Sequence, residues 1–189
     1  RFVEDDRFVD EEWFRSELGI VNGLLAQLDD EPGLLERTLV GVTDRRLGAY
    51  FEALIGFWIE MAPTMDLLGR NIQIHDENRT LGELDFIIGR GGDTVHVEVA
   101  FKYYLAVTVP GSTFFCGPSL RDRLDLKVSK LVTKQLPIVQ SPQCIGRLHE
   151  LGVPQPSSSE VWLKGRLFQP ETKGRAESGT WTWGELGLF

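Results

Sequence analysis

The sequence has few of the residues that would define a secreted, a membrane or a metal-thiolate protein. Its 189 residues include two cysteines and three histidines, and neither residue type shows metal-ligand spacing. Cys116 and Cys144 stand alone, so we expect two buried or partly buried thiols rather than a disulfide framework. No apolar run reaches the roughly 18 residues that a membrane span needs, and no secretory signal is visible. These absences favour a cytoplasmic protein without membrane contact.

The net charge of −8 argues against a nucleic-acid partner only until its distribution is considered. Residues 1–44 contain twelve acidic and four basic side chains, so this segment accounts for the whole net charge. The charges of residues 45–189 sum to zero. The acidity therefore belongs to the N-terminal segment, and the rest of the chain remains compatible with binding a phosphate backbone.

Hydrophobic patterning predicts an α/β core with an extension at each end. Apolar residues at helical spacing indicate an amphipathic helix that ends near Pro32, and a second helix that Thr43 caps and Pro63 stops. Patterns typical of three strands, a helix, a connection and a further strand follow. The chain is divided into an acidic helical extension (1–42), a core (43–170) and a C-terminal tail that packs on the core (171–189).

The segment from Thr80 to Leu105 predicts a β-hairpin with two unlike faces. The pair Gly91-Gly92 suits a two-residue turn that needs positive φ at both positions, and this turn sets a register in which Asp85 faces Glu98. One face of the hairpin is apolar. The other face carries four charged side chains: Glu83, Asp85, Glu98 and Lys102.

The polar face has an ordinary explanation and a functional one. An antiparallel hairpin commonly buries one face and exposes the other to water, and His96 is then simply a strand residue. Opposed carboxylates lie about 5 Å apart at their Cβ atoms, however, and like charges there destabilise a sheet. Either Lys102 or a divalent cation would compensate them, and Mg²⁺ or Mn²⁺ favours carboxylate, water and phosphate oxygens. A cation with a lysine beside it can orient a water and stabilise charge on a phosphoryl oxygen.

These segments carry a resemblance. GELDFI and VEVAFK resemble the centre of the restriction-endonuclease-like PD-(D/E)XK nucleases, in the form found in Holliday-junction-resolvase-like proteins. Together with LGAYFEALIGFWIE and GPSLRDRLDLKVSKL, they resemble an uncharacterised bacterial family, a domain of unknown function within that superfamily. The resemblance covers residues 43–168 and implies a core of helix, three strands, helix and strand.

The resemblance also implies residue roles. Four acidic residues would form the site: the metal-binding pair Asp85 and Glu98, the accessory Glu83, and Glu52 of the first core helix. The superfamily lysine normally follows the strand acid by two residues, where this chain has Ala100. Lys102 lies two residues farther along the same strand face, roughly 6.6 Å away, and is the candidate for the lysine's role.

A basic helix is predicted from about Ser119 to Leu136, with Ser119 as its cap and Asp122 three residues later. Four basic side chains fall on one stripe of this helix: Arg123, Lys127, Lys130 and Lys134. Such a stripe is either a solvated flank or a surface that binds nucleic-acid phosphates.

The sequence thus predicts a nuclease-like α/β protein that hydrolyses nucleic-acid phosphodiester bonds with Mg²⁺ or Mn²⁺, with DNA favoured as the partner. Lys102 would orient the water or stabilise the developing charge. The alternative is a noncatalytic nucleic-acid-binding or protein-interaction module on a degenerate nuclease fold. The alanine at position 100 keeps this alternative open.

Overall fold

A computed structural model describes residues 5–9, 11–44, 46–77, 79–170 and 183–188, which form helices around a six-stranded mixed sheet. The α-helices are α1 (Glu11–Ile20), α2 (Asn22–Asp30), α3 (Gly33–Val40), α4 (Leu47–Met61), α5 (Leu124–Lys130) and α6 (Pro142–Leu151). The strands are β1 (Asp66–Asp76), β2 (Arg79–Arg90), β3 (Asp93–Val109), β4 (Ser112–Cys116), β5 (Ser158–Pro170) and β6 (Trp183–Leu188). None of these helices has both the length and the apolar character needed to cross a membrane.

The sheet combines an antiparallel meander with one parallel strand pair. Its order is β1-β2-β3-β5-β6, and β4 folds back onto the far end of β3. Strand β5 runs parallel to β3, so the chain needs a long crossover between them, and the helical segments after β4 provide it. This arrangement confirms the predicted α/β class. Most of the predicted C-terminal tail, residues 171–182 and 189, lies outside the described residues, and β6 within that tail pairs with β5.

The predicted hairpin register is confirmed from the turn to the pair Phe86–Val97, and the predicted pair Asp85–Glu98 lies outside this ladder. Gly91 and Gly92 have φ values of 61° and 91°, which suit a turn that requires positive φ at both positions. The pairing runs inward from this turn and ends where Phe86 of β2 meets Val97 of β3. Asp85 and the rest of β2 therefore lie beyond the regular ladder with β3.

Both faces of the hairpin pack against helical segments, which argues against the ordinary explanation of a fully solvated polar face. Helices α1 and α4 cover one face through a buried cluster that includes Phe86 and Trp162. On the other face, Ala100 and Tyr104 pack against Leu124 of the crossover. The crossover is what excludes water here, because a parallel strand pair brings its connecting helix back over the sheet.

The N-terminal extension packs on the core as three helices rather than one. Backbone hydrogen bonds join it to the edge of β5, from Val9 N to Val161 O at 3.1 Å and from Val161 N to Arg7 O at 2.8 Å. Thr43 does not cap the next helix, because α4 begins only at Leu47, after Arg46 in an extended conformation. The helix ends at Met61, before Pro63, as the pattern predicts. Both cysteines are free thiols, as expected.

The crossover helix starts later than predicted and is not uniform. Leu120 has a φ of 58°, so the segment after Ser119 turns instead of entering a helix, and α5 begins at Leu124. Asp122 cannot complete a cap box because its carboxylate is bonded to Lys102. After α5, the chain passes through a π-helical turn and a 3₁₀ turn, at Leu131–Gln135 and Leu136–Gln140.

We expect Gly165→Ala to destabilise the sheet strongly. Gly165 of β5 has a φ of 155°, and a Cβ atom there would lie 1.7 Å from the carbonyl oxygen of Lys102. The substitution should lower the free energy of unfolding by about 3 kcal/mol, because the two parallel strands must separate. Gly146→Ala in α6 is the control, since its Cβ meets nothing within 4 Å and should stabilise the helix by roughly 0.5–1 kcal/mol. Equal urea midpoints for the two variants would contradict the close strand approach.

Candidate functional site

Two acidic side chains meet at the point where the regular pairing of β2 and β3 ends. Asp85 of β2 lies one residue beyond the last pair, and its Oδ2 accepts a hydrogen bond from the backbone N–H of Val99 at 2.8 Å. The Asp85 side chain thereby serves as the hydrogen-bond acceptor for a backbone N–H of β3. This contact holds the Asp85 carboxylate next to Glu98, the neighbour of Val99.

Glu98 is buried and held on both sides. Its side chain is 1% exposed, Oε1 lies 3.1 Å from Nε2 of His96, and Oε2 accepts a hydrogen bond from the Gln135 amide. His96 is fully buried, and its Nδ1 lies 3.3 Å from Oγ of Ser159. Burial lowers the pKa of His96 to about 4, so the ring is neutral near pH 7. We assign Nε2–H as the donor to Glu98 and Nδ1 as the acceptor from Ser159 on the basis of these partners.

Burial and mutual repulsion make both carboxyl groups hard to ionise. Burial raises the pKa of Asp85 to about 7, and the charge of Glu98 is the second cause. Burial likewise raises the pKa of Glu98 to about 7. Two ionised carboxylates at this position therefore require a compensating positive charge.

The other two predicted acids lie within electrostatic reach of the pair. Burial is the main cause of the raised pKa values, and the charge of Glu52 on α4 adds to the rise at both Asp85 and Glu98. The charge of Glu83 adds to the rise at Glu98, and Glu83 itself accepts a hydrogen bond from Gln73 of β1. All four acidic side chains that the sequence proposed thus interact electrostatically, and we call them the acidic cluster: Glu52, Glu83, Asp85 and Glu98.

Lys102 points to a different partner. Its Nζ lies 2.6 Å from Oδ2 of Asp122, and the Tyr104 hydroxyl lies 3.4 Å from Oδ1 of the same carboxylate. Both members of the ion pair are about one-third exposed, at 34% and 39%. The Lys102 ammonium is therefore engaged at the turn before α5 rather than at the Asp85–Glu98 pair.

Lys127 is the lysine that the structure connects to the acidic pair. Its Nζ donates a hydrogen bond to Oε1 of Gln135 at 3.1 Å, and the Gln135 amide nitrogen donates to Glu98. Burial lowers the pKa of Lys127, and the charges of Glu98 and Asp85 oppose that shift. The ammonium and the two carboxylates thus share one partly buried region.

The predicted basic stripe separates into three parts. Arg123 precedes α5, and its guanidinium bonds to Asp125 at 3.0 and 2.6 Å and lies over the Phe114 ring. Lys127 turns inward. Lys130 and Lys134 are exposed, and the charge of Lys130 reaches Glu98, where it opposes the rise in pKa that burial causes. Lys130 therefore gives the outer rim of the acidic cluster a basic side chain, and the exposed Lys134 follows it four residues later.

Sequence reasoning missed two contributors to the site. His96 was interpreted as an ordinary strand residue, although its position two residues before Glu98 on the same strand face was the available signal. Gln135 had no comparable signal. Its contact with Glu98 depends on the π-helical turn that contains it, which no pattern of polar and apolar residues predicted.

The acidic pair suits a hard divalent cation with few protein ligands. Over the described ranges, no group of three or more His, Cys, Asp or Glu side chains is arranged to hold a metal ion. Mg²⁺ and Mn²⁺, however, often take one or two carboxylates and complete their coordination with water and phosphate oxygens. Both oxygens of Glu98 are hydrogen-bonded, whereas among the described residues no hydrogen bond engages Oδ1 of Asp85. Asp85 would therefore be the first ligand, with Glu98 beside it.

Comparison with known proteins identifies a family and no activity. The family model named Domain of unknown function (DUF1853) matches residues 6–182. This match confirms the resemblance to an uncharacterised family. No curated protein and no solved structure matches the chain.

We expect Asp85→Asn to stabilise the metal-free protein increasingly as pH rises from about 4 to about 7. In this window folded Asp85 retains a proton that the unfolded chain has lost, because its pKa rises from an ordinary 3.8 to about 7. Wild-type stability contributed by this group therefore falls with rising pH, and the asparagine, which can still accept the Val99 N–H, removes that loss. The gain should be on the order of 2 kcal/mol near pH 7, measured by urea unfolding in EDTA.

The quantity to compare is the difference in the free energy of unfolding between Asp85→Asn and wild type at each pH. His96 contributes in the opposite direction, since its lowered pKa makes stability rise between about 4 and its ordinary 6.5. Asp93→Asn, an exposed substitution of the same kind in the hairpin turn, is the matched control and should leave the pH profile unchanged. Parallel profiles of stability against pH for wild type and Asp85→Asn would show that folding does not raise the pKa of Asp85.

Proposed function

The chain belongs to the DUF1853 family, and we propose that it is a nuclease that hydrolyses nucleic-acid phosphodiester bonds with Mg²⁺ or Mn²⁺. The observation that carries the proposal is the pair of partly buried Asp85 and buried Glu98, which interacts with further acids and with a partly buried lysine. A site of this kind holds excess negative charge in a region of low solvent access. A divalent cation relieves that charge, and a phosphate group shares the cation's remaining coordination positions.

The fold supports assigning the chain to the restriction-endonuclease-like PD-(D/E)XK superfamily. Apart from the added strand β4 and helix α6, the order of α4, three antiparallel strands, the crossover helix and β5 is the order that the resemblance implies. The parallel pairing of β5 with β3 puts the crossover helix over the strand that carries Glu98. The acidic pair follows on consecutive strands of the hairpin, as the superfamily pattern requires.

Each residue of the site has a distinct task in this proposal. Asp85 and Glu98 would hold the cation, which would supply Lewis-acid chemistry at the site. The Val99 N–H fixes Asp85, while His96 and Gln135 fix the two oxygens of Glu98. Such outer contacts set the direction of the ligating oxygens. The accessory acids Glu52 and Glu83 add negative charge that draws the cation into the site.

The exposed basic side chains beside the cluster provide a surface for the phosphate backbone. Lys130 and Lys134 lie on the solvent side of the crossover helix, where ammonium groups can contact phosphates without leaving water. Arg123 is less available because Asp125 already neutralises it. We therefore assign backbone binding to the two lysines and not to the whole predicted stripe.

A noncatalytic module on the same fold is the second candidate. The observation that favours it is the engagement of Lys102 by Asp122, which leaves β3 without a free ammonium near the acids. Such a module would bind nucleic acid or protein through the same surface without cutting. Metal binding and cleavage separate the two functions.

We expect Asp85→Asn to abolish both Mn²⁺ binding and cleavage. The substitution removes the charge of the first ligand while preserving the shape of the side chain, so cleavage should fall about 100-fold or more. Mn²⁺ binding is measured by calorimetry, and cleavage on single-stranded, duplex and branched DNA and RNA. Asp93→Asn should behave as wild type in both assays. Wild-type protein that binds no Mn²⁺ and cuts none of these substrates would contradict the nuclease and support the noncatalytic module.

Charge reversal at the basic rim should weaken nucleic-acid binding and its salt dependence. Lys130→Glu and Lys134→Glu are each expected to reduce the slope of log affinity against log salt by about 1, because each removes a phosphate contact. Binding is measured by fluorescence anisotropy from low to high salt. The buffer contains Ca²⁺, so that a divalent cation is available to the acidic pair. Arg147→Glu on α6 makes the same charge change away from the cluster and should preserve the slope. Equal slopes for all three variants would assign the rim lysines to solubility.

A further inference from the structure

The strand that carries Glu98 supplies no free ammonium to the acidic pair. Position 100 is alanine, which is 8% exposed and packed in an apolar cluster with Leu124 and Leu131 of the crossover. Lys102, two residues farther, is bonded to Asp122. A lysine for the site has to come from another element.

The crossover helix brings such a lysine to the same place. Lys127 projects from α5 toward β3, and Gln135 joins it to Glu98 through two hydrogen bonds. Because the amide of Gln135 accepts from the ammonium with one end and donates to the carboxylate with the other, it fixes the orientation of both charged groups. The Gln135 amide thus lies between Lys127 and Glu98, and the two charged groups do not form a direct ion pair.

The local helix geometry makes this contact possible. Lys127 and Gln135 are eight residues apart, and at about 100° per residue an α-helix would leave their side chains about 80° apart around its axis. The π-helical turn at Leu131–Gln135 winds more slowly per residue and brings Gln135 back toward the Lys127 side. Single π turns of this kind occur frequently at functional sites.

We propose that Lys127 of the crossover helix, positioned by Gln135, is the catalytic lysine of the Asp85–Glu98 centre, in the role that the sequence pattern assigned to Lys102. This inference rests on the proposed nuclease function. The Lys127 side chain donates to the phosphoryl oxygens and stabilises their negative charge during hydrolysis. The water oxygen forms the new bond to phosphorus and gives its proton to solvent, the bond to the leaving sugar oxygen breaks, and that oxygen takes a proton from solvent.

The environment of Lys127 suits this role better than that of Lys102. Burial lowers the Lys127 pKa, and the neighbouring carboxylates oppose that shift, so the ammonium is partly desolvated but still charge-compensated. A cation in such surroundings acts more strongly on a phosphoryl oxygen than one in water. Lys102 is bonded instead to the partly exposed carboxylate of Asp122.

The decisive experiment compares the two lysines by the same substitution. Lys127→Met keeps the length of the side chain and removes its charge, and we expect single-turnover cleavage with Mn²⁺ to fall about 100-fold or more. Lys102→Met, the matched control, should stay within about threefold of wild type. Lys127→Arg should recover part of the lost rate, and ethylammonium ions should restore cleavage by Lys127→Ala in a saturable manner.

Metal affinity gives a readout that does not depend on turnover. Removing a positive charge close to the acidic pair should tighten Mn²⁺ binding about threefold to tenfold in Lys127→Met, whereas Lys102→Met should bind Mn²⁺ as wild type does. Gln135→Leu should lower the cleavage rate, and the double variant Gln135→Leu/Lys127→Arg should not recover it, since the positioning amide is gone. These results together would assign the ammonium to Lys127.

Failure of this inference is distinguishable from failure of the nuclease proposal. If wild type cleaves and Lys102→Met, but not Lys127→Met, abolishes cleavage, only the assignment of the lysine is overturned. If Lys127→Met lowers cleavage and weakens Mn²⁺ binding equally, with no rescue by arginine or ethylammonium, Lys127 has a structural role and the inference also fails. If wild type neither binds Mn²⁺ nor cleaves, both proposals fail.

Discussion

Two neighbouring carboxylates, one buried and one partly buried, are the constraint around which the site is built. Asp85 and Glu98 lie where the hairpin ladder ends, and neither burial nor their mutual repulsion favours ionisation. Neighbouring groups offset the electrostatic cost of ionising the pair. The Val99 N–H binds one carboxylate, neutral His96 and Gln135 bind the other, and Lys127 supplies a positive charge through Gln135. A cation at this position would complete the compensation that the protein groups begin.

The crossover between β4 and β5 has two structural tasks that conflict in a regular helix. It must cover the sheet with apolar side chains, which Leu124 and Leu131 do, and it must also present polar side chains to Glu98. An α-helix of uniform pitch would leave the Lys127 and Gln135 side chains about 80° apart around its axis. The π-helical turn satisfies both demands, because it changes the direction of the side chains that follow it without ending the helix.

The sequence predicted the hairpin well because its signals are local. Two glycines with positive φ set the turn, and the alternation of side chains then fixes which residues share a face. It predicted the crossover poorly, because Ser119 and Asp122 satisfy a capping pattern that tertiary contacts override. Asp122 binds Lys102 instead, and the helix starts five residues later. Lys127 points inward because of where the helix lies relative to β3. The helical periodicity of the sequence carries no information about that position.

The acidic pair is difficult to explain as a purely structural feature. Buried carboxyl groups with raised pKa values lower the stability of a folded protein near neutral pH, and folded domains have only about 5–15 kcal/mol of stability in total. Replacing buried charged groups by apolar side chains of similar volume is often neutral or stabilising. A module that only binds a partner through its exposed lysines has no need of Asp85 and Glu98 in this position. A site that must attract and hold a cation does, since the same unfavourable charge that weakens the metal-free fold is the source of metal affinity.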